Sequence, residues 1–290
     1  MEKLWLYPEN ETSYIFNVNK ENQNRERIIK ANQSVIDSYV EKHGGTAINI
    51  IEKNQLLMNA ICAAGLENSE LVNEMPPFSE KIEKNNLLKI DDYMVAQELL
   101  IERVKKEPYL YPELLLYVHR ELVKNNLDIS DYDKGHFRDQ YSPMIQVGYF
   151  EPIEGRKVKT EITYAFSQYA YVDKNGKENP FEKISKLHAQ MVRIQPFMDG
   201  NKRMAFLITN AMLALHGFPM IDLCNGAEEN ENYNECLKIA IVKRDVTPLA
   251  ELFENKTIKK QEEIINVIRV RETGKAIKNL EIESNKENYK

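Results

Sequence analysis

Cysteine is scarce: Cys62, Cys224 and Cys236 are the only three in 290 residues. An odd, widely spaced set makes neither a disulfide framework nor a metal-ligand pattern, and it suits a reducing compartment. Histidine is almost as sparse, with five residues, none at the spacing of a metal site. Long apolar runs are missing. The most apolar stretch, residues 205–218, is broken by Thr209, Asn210 and His216, too short and too polar to cross a bilayer. The opening residues, Met1 to Pro8, lack the apolar core of a signal peptide. These absences lead to the expectation of a cytoplasmic protein with no membrane partner. Excess positive charge is missing too. Thirty-nine Lys and Arg stand against 45 Asp and Glu, a net charge of −6, which argues against nucleic acid because phosphate binding normally needs a basic face. There is no internal repeat. What remains is ordinary globular stock, 42% hydrophobic and 29% charged, enough for a sizeable core.

The pattern along the chain is mostly helical. Residues 1–25 are polar and Asn-rich and read as a flexible N-terminal arm. From Glu26, apolar residues Ile28, Ile29, Val35, Ile36 and Val40 recur at helical steps, until Gly44-Gly45 breaks the run. Further helices are expected over Ala47–Leu66, Asp92–Lys105 and Pro112–Lys124, with Pro76-Pro77-Phe78-Ser79 as a linker. Between Gly135 and Val158, alternating apolar and aromatic residues with Pro152 and Gly155 read as a short hairpin. Asn179-Pro180-Phe181-Glu182 is a helix start: Asn caps, Pro takes the first helical position and Glu can reach back. That helix places Ile184, Leu187, Met191 and Ile194 on one face, and Pro196 limits it. Another apolar helix follows and stops at Gly217-Phe218-Pro219. Two segments, about Asn232–Val242 and Val246–Glu254, precede a charged tail that is helical at first.

The loop from Pro196 to Arg203 collects one carboxylate (Asp199), one glycine (Gly200), one amide (Asn201) and two cations (Lys202, Arg203). A helix begins here, so free backbone N–H groups and the positive dipole end face the loop, which makes an anion site. Gly200 permits close approach of a phosphate, and an arginine fork grips phosphate oxygens. Asp199 suits Mg2+, which takes one or two carboxylates plus substrate phosphates. Taken alone, the loop is better read as a common Asp-Gly-Asn turn with Lys-Arg on a solvated helix start.

Gln195-Pro196-Phe197-Met198-Asp199-Gly200-Asn201-Lys202-Arg203 resembles the motif of the Fic/Doc family, His-Pro-Phe-any-Asp/Glu-Gly-Asn-Gly/Lys-Arg. Two other segments resemble the same family: the helix from Leu187 to Ile194 running into the motif, and Gly135-His136-Phe137-Arg138 leading to Ile145-Gln146-Val147. The resemblance implies a mainly α Fic fold, a helical bundle with a small β-hairpin flap. It implies a core at residues 90–222, preceded by an N-terminal helical region (26–89) and followed by C-terminal helices and a charged tail (223–290). It further implies binding of Mg2+ and ATP, and transfer of AMP to a Ser, Thr or Tyr hydroxyl of a target protein. Asp199 would hold the metal. Gly200, Asn201, Lys202 and Arg203 would bind the nucleotide. Met144, Ile145, Gln146 and Val147 would dock the target as an added strand. A homodimer is left open.

The departures from the motif matter. Gln195 stands where the family has its catalytic histidine, and an amide accepts no proton near neutral pH. Losing a general base costs ~10²–10⁴-fold in rate, roughly 3–5 kcal/mol of barrier. The readings are therefore an impaired AMP-transferase, a pseudoenzyme that serves as a partner-binding module, or a Doc-like kinase, the last favoured by Lys202. Phe206 stands where many relatives carry a second arginine. Residues 63–68, ending Glu67-Asn68, resemble the family's inhibitory helix, with Ala63 in place of Ser or Thr. Glu67 would then face Lys202 or Arg203. His188, seven residues before Gln195 on the same helix, reads as a hydrogen-bonded scaffold residue rather than a substitute base.

Overall fold

The structure is a computed structural model that describes residues 13–63, 84–145, 147–172, 178–222 and 227–287. Among these the chain forms nine helices: α1 (Lys20–His43), α2 (Thr46–Ala63), α3 (Lys84–Lys106), α4 (Pro112–Leu122), α5 (Gly155–Tyr169), α6 (Pro180–Ile194), α7 (Asn201–Leu215), α8 (Ala227–Val242) and α9 (Thr247–Glu287). The expected mainly α class is what the chain adopts.

α6 is the centre of the bundle. α5, α7, α8 and α9 all pack on it, so the apolar face read from the sequence is joined by buried polar positions on the other sides. Those polar groups are tolerated because they have partners. His188 bonds Thr209 of α7 and Tyr233 of α8 at 2.8 Å each, which bears out its reading as scaffold. Arg193 bonds Gln190 of its own helix and Glu161 of α5. The N-terminus of α6 is capped by Asn179, whose side chain accepts from the amides of Phe181 and Glu182, and Pro180 occupies the first turn without losing a bond. α7 is likewise buried from Met204 to Leu213. Truncating a core residue such as Leu187, which is fully buried, costs ~2–5 kcal/mol by lost transfer energy and the cavity left behind.

Several boundaries differ from the sequence reading. α1 starts at Lys20, six residues before the expected start and inside the supposed arm. Its cap is a capping box of Asn19 and Asn22, each side chain bonding the other's backbone. An Asn-rich stretch thus serves as a helix signal rather than as disorder. Residues ahead of the helix are also held: the amide of Ile15 donates to the Arg244 carbonyl, and the amide of Val246 to the carbonyl of Ile15. α3 begins at Lys84, so the supposed boundary at residues 89 and 90 falls inside one helix. One core cluster runs from Tyr14 and Ile29 through Ala60 to Phe253, and a second joins Ile36, Tyr39 and Ile48 to Ile264, Ile265 and Ile268. α9 runs unbroken from Thr247, so the expected segment ending near Glu254 and the helical start of the tail are one helix. It lies against α1, bonded through Arg25 to Glu251 and Glu254 and through Gln261 to Gln33. The linker reading at Pro76–Ser79 lies outside the described residues.

The expected hairpin over Gly135–Val158 is the main correction. Between α4 and α5 the described residues contain only one antiparallel bridge, Val147 with Phe150. An isolated two-stranded ribbon is marginal without further strands, and the segment instead lies as loop against the helices. Gly155 opens α5 rather than closing a turn. A Cβ there would sit 1.8 Å from the Asp139 carbonyl oxygen, so the close backbone approach requires glycine. Val158, Ile162, Ala165 and Phe166 bury one face of α5, a helical spacing hidden by the strand-like residues ahead of it.

Candidate functional site

The junction of α6 and α7 is built by residues from four elements. Gln195 ends α6 in the left-handed region, φ 48° and ψ 64°. Its side-chain nitrogen folds back to donate to the Val192 carbonyl at 2.8 Å. Arg138, buried in the loop after α4, holds this corner. Its Nε donates to the Gln195 carbonyl at 2.6 Å, and its Nη2 to the carbonyls of Ile194 and Ile153 at 2.9 and 2.8 Å. Its own amide donates to the carbonyl of Pro196. One guanidinium therefore ties the end of α6, the start of the loop and the segment leading to α5. Burial holds its pKa below the usual arginine range.

Asn201 shapes the loop from the other side. Its Oδ1 accepts from the Phe197 amide and its Nδ2 donates to the Phe197 carbonyl, both at 2.8 Å. These reciprocal bonds use the side chain for the loop backbone, leaving only its main chain to face a phosphate. Gly200 precedes α7 at φ 75° and supplies no side-chain cap, so the first amides of α7 are left for another acceptor. A Cβ on Gly200 would press on Val123 at 3.2 Å.

His119 on α4 anchors the loop beneath. Its ring stacks on Phe197 at 3.7 Å. The Gly135 amide donates to Nδ1 at 3.0 Å, so Nδ1 is unprotonated and Nε2–H donates to the Asp199 carbonyl at 3.0 Å. Burial pushes the His119 pKa down to about 4, with the nearby Arg203 charge acting in the same direction. Burial pushes His188 lower still, to about 3. Neither ring stands as a proton acceptor in the loop.

The Asp199 side chain is 52% exposed. Its Oδ2 accepts from Asn126 Nδ2 at 2.9 Å and from Arg203 Nη2 at 3.0 Å. Lys202 reaches across to α8, with Nζ 3.1 Å from Asn230 Oδ1 and lying over the rings of Phe206 and Tyr233. Phe206 is buried, filling core where a second arginine would need water or an anion. The loop thus brings together Gln195, Asp199, Gly200, Asn201, Lys202 and Arg203. Of the expected docking residues, Met144 is 85% exposed while Ile145 and Val147 are half-buried. Gln146, Glu67 and Asn68 lie outside the described residues.

His119 and Asn126 were missed by the sequence reading. A histidine on an amphipathic helix and an Asn-Asn turn after it carry no distinguishing signal. Among the described residues no three His, Cys, Asp or Glu cluster as a metal cage. A divalent cation held by one carboxylate and by phosphates needs no such cage, and Asp199 with the uncapped start of α7 fits that mode. A separate cavity of about 400 Å3 lies between α3 and α4, lined by Leu99, Arg103, Tyr111 and Tyr117 among others, and shares no residue with the loop.

A helical bundle with an uncapped helix start at its central loop defines the class of fold. Residues 109–213 match the model of the Fic/DOC family. Similar solved structures include Fic-1 of C. elegans, 16% identical, TM-score 0.66, covering 87% of this chain and 74% of that one. A Fic domain containing signaling protein from Bacteroides thetaiotaomicron is 17% identical, TM-score 0.62, covering 85% and 96%. A Fic family protein from Desulfovibrio desulfuricans is 15% identical, TM-score 0.63, covering 88% and 77%. At these identities the likeness shows the fold. Among the described residues no helix is long and apolar enough to cross a membrane.

Proposed function

We propose that the protein binds Mg-ATP on the α6–α7 loop, and that its ancestral reaction moves AMP to a protein hydroxyl. The observation that carries this is the uncapped start of α7 at Gly200, flanked by the Asp199 carboxylate and the Arg203 guanidinium. The amides at the start of α7 and Arg203 would bind the phosphates, with Lys202 beside them. Asp199 would hold Mg2+, which when bound offsets phosphate charge and draws electrons from phosphorus.

In the transfer, the target oxygen forms a bond to the α-phosphorus. The bond from that phosphorus to the bridging oxygen breaks, and pyrophosphate leaves with the electron pair. The hydroxyl proton needs an acceptor. Gln195 cannot take it, and its amide is turned back to Val192, so transfer by the protein as it stands is slow. The target would dock on Met144, Ile145, Gln146 and Val147, near the cytoplasmic nucleotide pool that the reaction requires. The same glutamine favours a second reading, a partner-binding module that keeps the cleft without turnover. Lys202 favours a third, Doc-like phosphate transfer.

Calorimetric titration of Mg-ATP into the protein and into Asp199→Ala tests the first reading. Binding that weakens ~10-fold or more in the variant is expected, as for loss of a metal ligand. No binding to either protein removes the nucleotide reading and leaves the binding module.

A further inference from the structure

The Asp199 carboxylate is held at the loop by two donors, and one of them, Asn126, comes from outside the motif. Asn126 sits in the turn after α4 and is 9% exposed. Its Oδ1 accepts from the Asp128 amide at 3.0 Å. That bond fixes which way the amide faces, so Nδ2 must turn to Asp199, where it donates to Oδ2 at 2.9 Å. The turn itself is pinned to α3. Asp92, 4% exposed, accepts from the Asn125 amide at 2.9 Å and from Asn125 Nδ2 at 2.7 Å, one bond on each carboxylate oxygen. A path therefore runs from Asp92 on α3 to Asn125, through the peptide bond to Asn126, and on to the exposed carboxylate of the loop.

We propose that Asn126, held by Asp92 through Asn125, is the positioning residue that orients Asp199 to bind a divalent cation. The proposal rests on the reading of Asp199 as the metal ligand. Its logic is that Oδ2 has two donors, Asn126 and Arg203, and Oδ1 is the oxygen left to face a cation. Arg203 is a long arm on the same helix start and is the group that nucleotide phosphates would draw away. Asn126 is short, buried and cross-linked to another helix, so it keeps the carboxylate in place after Arg203 moves. Partners of this kind around metal ligands are worth ~10–100-fold in metal affinity.

The test measures Mn2+ binding by electron paramagnetic resonance with ATP present, and ATP binding without metal by calorimetry in chelator. Asn126→Ser keeps an acceptor for the Asp128 amide but is too short to reach Asp199. Mn2+ affinity should fall ~10-fold while metal-free ATP affinity changes less than ~2-fold, a split that general loosening of the fold would not produce. In the Asp199→Ala background Asn126→Ser should have no further effect. Asp92→Asn, which touches neither Asp199 nor the loop, should weaken Mn2+ in the same direction by a smaller factor. If Asp199→Ala weakens Mn2+ binding and Asn126→Ser does not, the positioning role is overturned and the metal-ligand reading stands. If Asp199→Ala leaves Mn2+ binding unchanged, or the unaltered protein binds none, both fall.

Discussion

Arg138→Met is the perturbation whose cost the structure best defines. Methionine keeps most of the apolar stem and removes the guanidinium. Three carbonyls then lose a charged donor: Gln195 at 2.6 Å, Ile153 at 2.8 Å and Ile194 at 2.9 Å. The Ile194 bond is buried, so its acceptor is left dry, a loss of ~2–3 kcal/mol. The other two are partly buried and regain water, which limits each loss to ~1 kcal/mol. Against this, burial already disfavours the charged guanidinium, and removing it recovers part of the total. The net expectation is a destabilisation of about 3 kcal/mol. Urea unfolding followed by far-ultraviolet circular dichroism measures it, with an unchanged slope as the sign that the same surface is exposed. Arg138→Lys should recover less than half, because one ammonium cannot span three carbonyls set around a planar fork. A loss below ~1 kcal/mol for Arg138→Met, on the scale of a single net hydrogen bond, would refute the claim that this residue ties the corner together.

Gln195→His should raise AMP transfer ~10²–10⁴-fold, read with ATP labelled at the α-phosphate against ATP labelled at the γ-phosphate. It should leave the melting point nearly unchanged, since histidine is enriched at positive φ and Gln195 sits at φ 48°. Label from the γ-phosphate instead would favour the Doc-like reading. Acid should destabilise the fold through His119 and His188. Their folded pKa values, about 4 and about 3, lie below the ordinary 6.5, so their contribution is complete above pH 6.5 and is lost as pH falls. At pH 5 each loses ~2 kcal/mol, and equal urea midpoints at pH 7 and pH 5 would exclude neutral buried rings. Gly200→Ala should cost ~1–2 kcal/mol from its φ of 75° and the contact with Val123, measured by the same unfolding. Asn201→Ala leaves the Phe197 amide and carbonyl buried without partners, for a loss of ~2–4 kcal/mol. A variant as stable as the parent would show that water replaces the side chain.

Local chemistry that is complete within a few residues was legible in the sequence. Asn179-Pro180 caps and opens α6 as its residue types require, and Gly217 and Pro219 close off α7. The motif loop lies between two apolar helices, and its glycine takes the positive φ that only a residue without Cβ adopts freely. The one large misreading, the hairpin, came from treating alternation as sufficient. A strand needs a partner, and among the described residues between α4 and α5 the only pairing is the Val147–Phe150 bridge. The misplaced start of α1 came from reading asparagine by composition rather than by position, where Asn19 and Asn22 satisfy each other's backbone.

Sequence alone determined the helical class, the loop that collects Asp199, Gly200 and Arg203, and the presence of an amide rather than a titratable side chain at Gln195. Each follows from residue type and near-neighbour spacing. Only the tertiary structure decided what holds that loop. Arg138 reaches it from 57 positions away in the chain, Asn126 from 73 and His119 from 80. Arg138 ends the segment Gly135-His136-Phe137-Arg138 singled out in the sequence, but nothing local says what it ties together, and Asn126 and His119 have no local pattern that marks them, because a buried donor is selected by acceptors that folding brings to it, and those acceptors are backbone carbonyls or a carboxylate on distant elements.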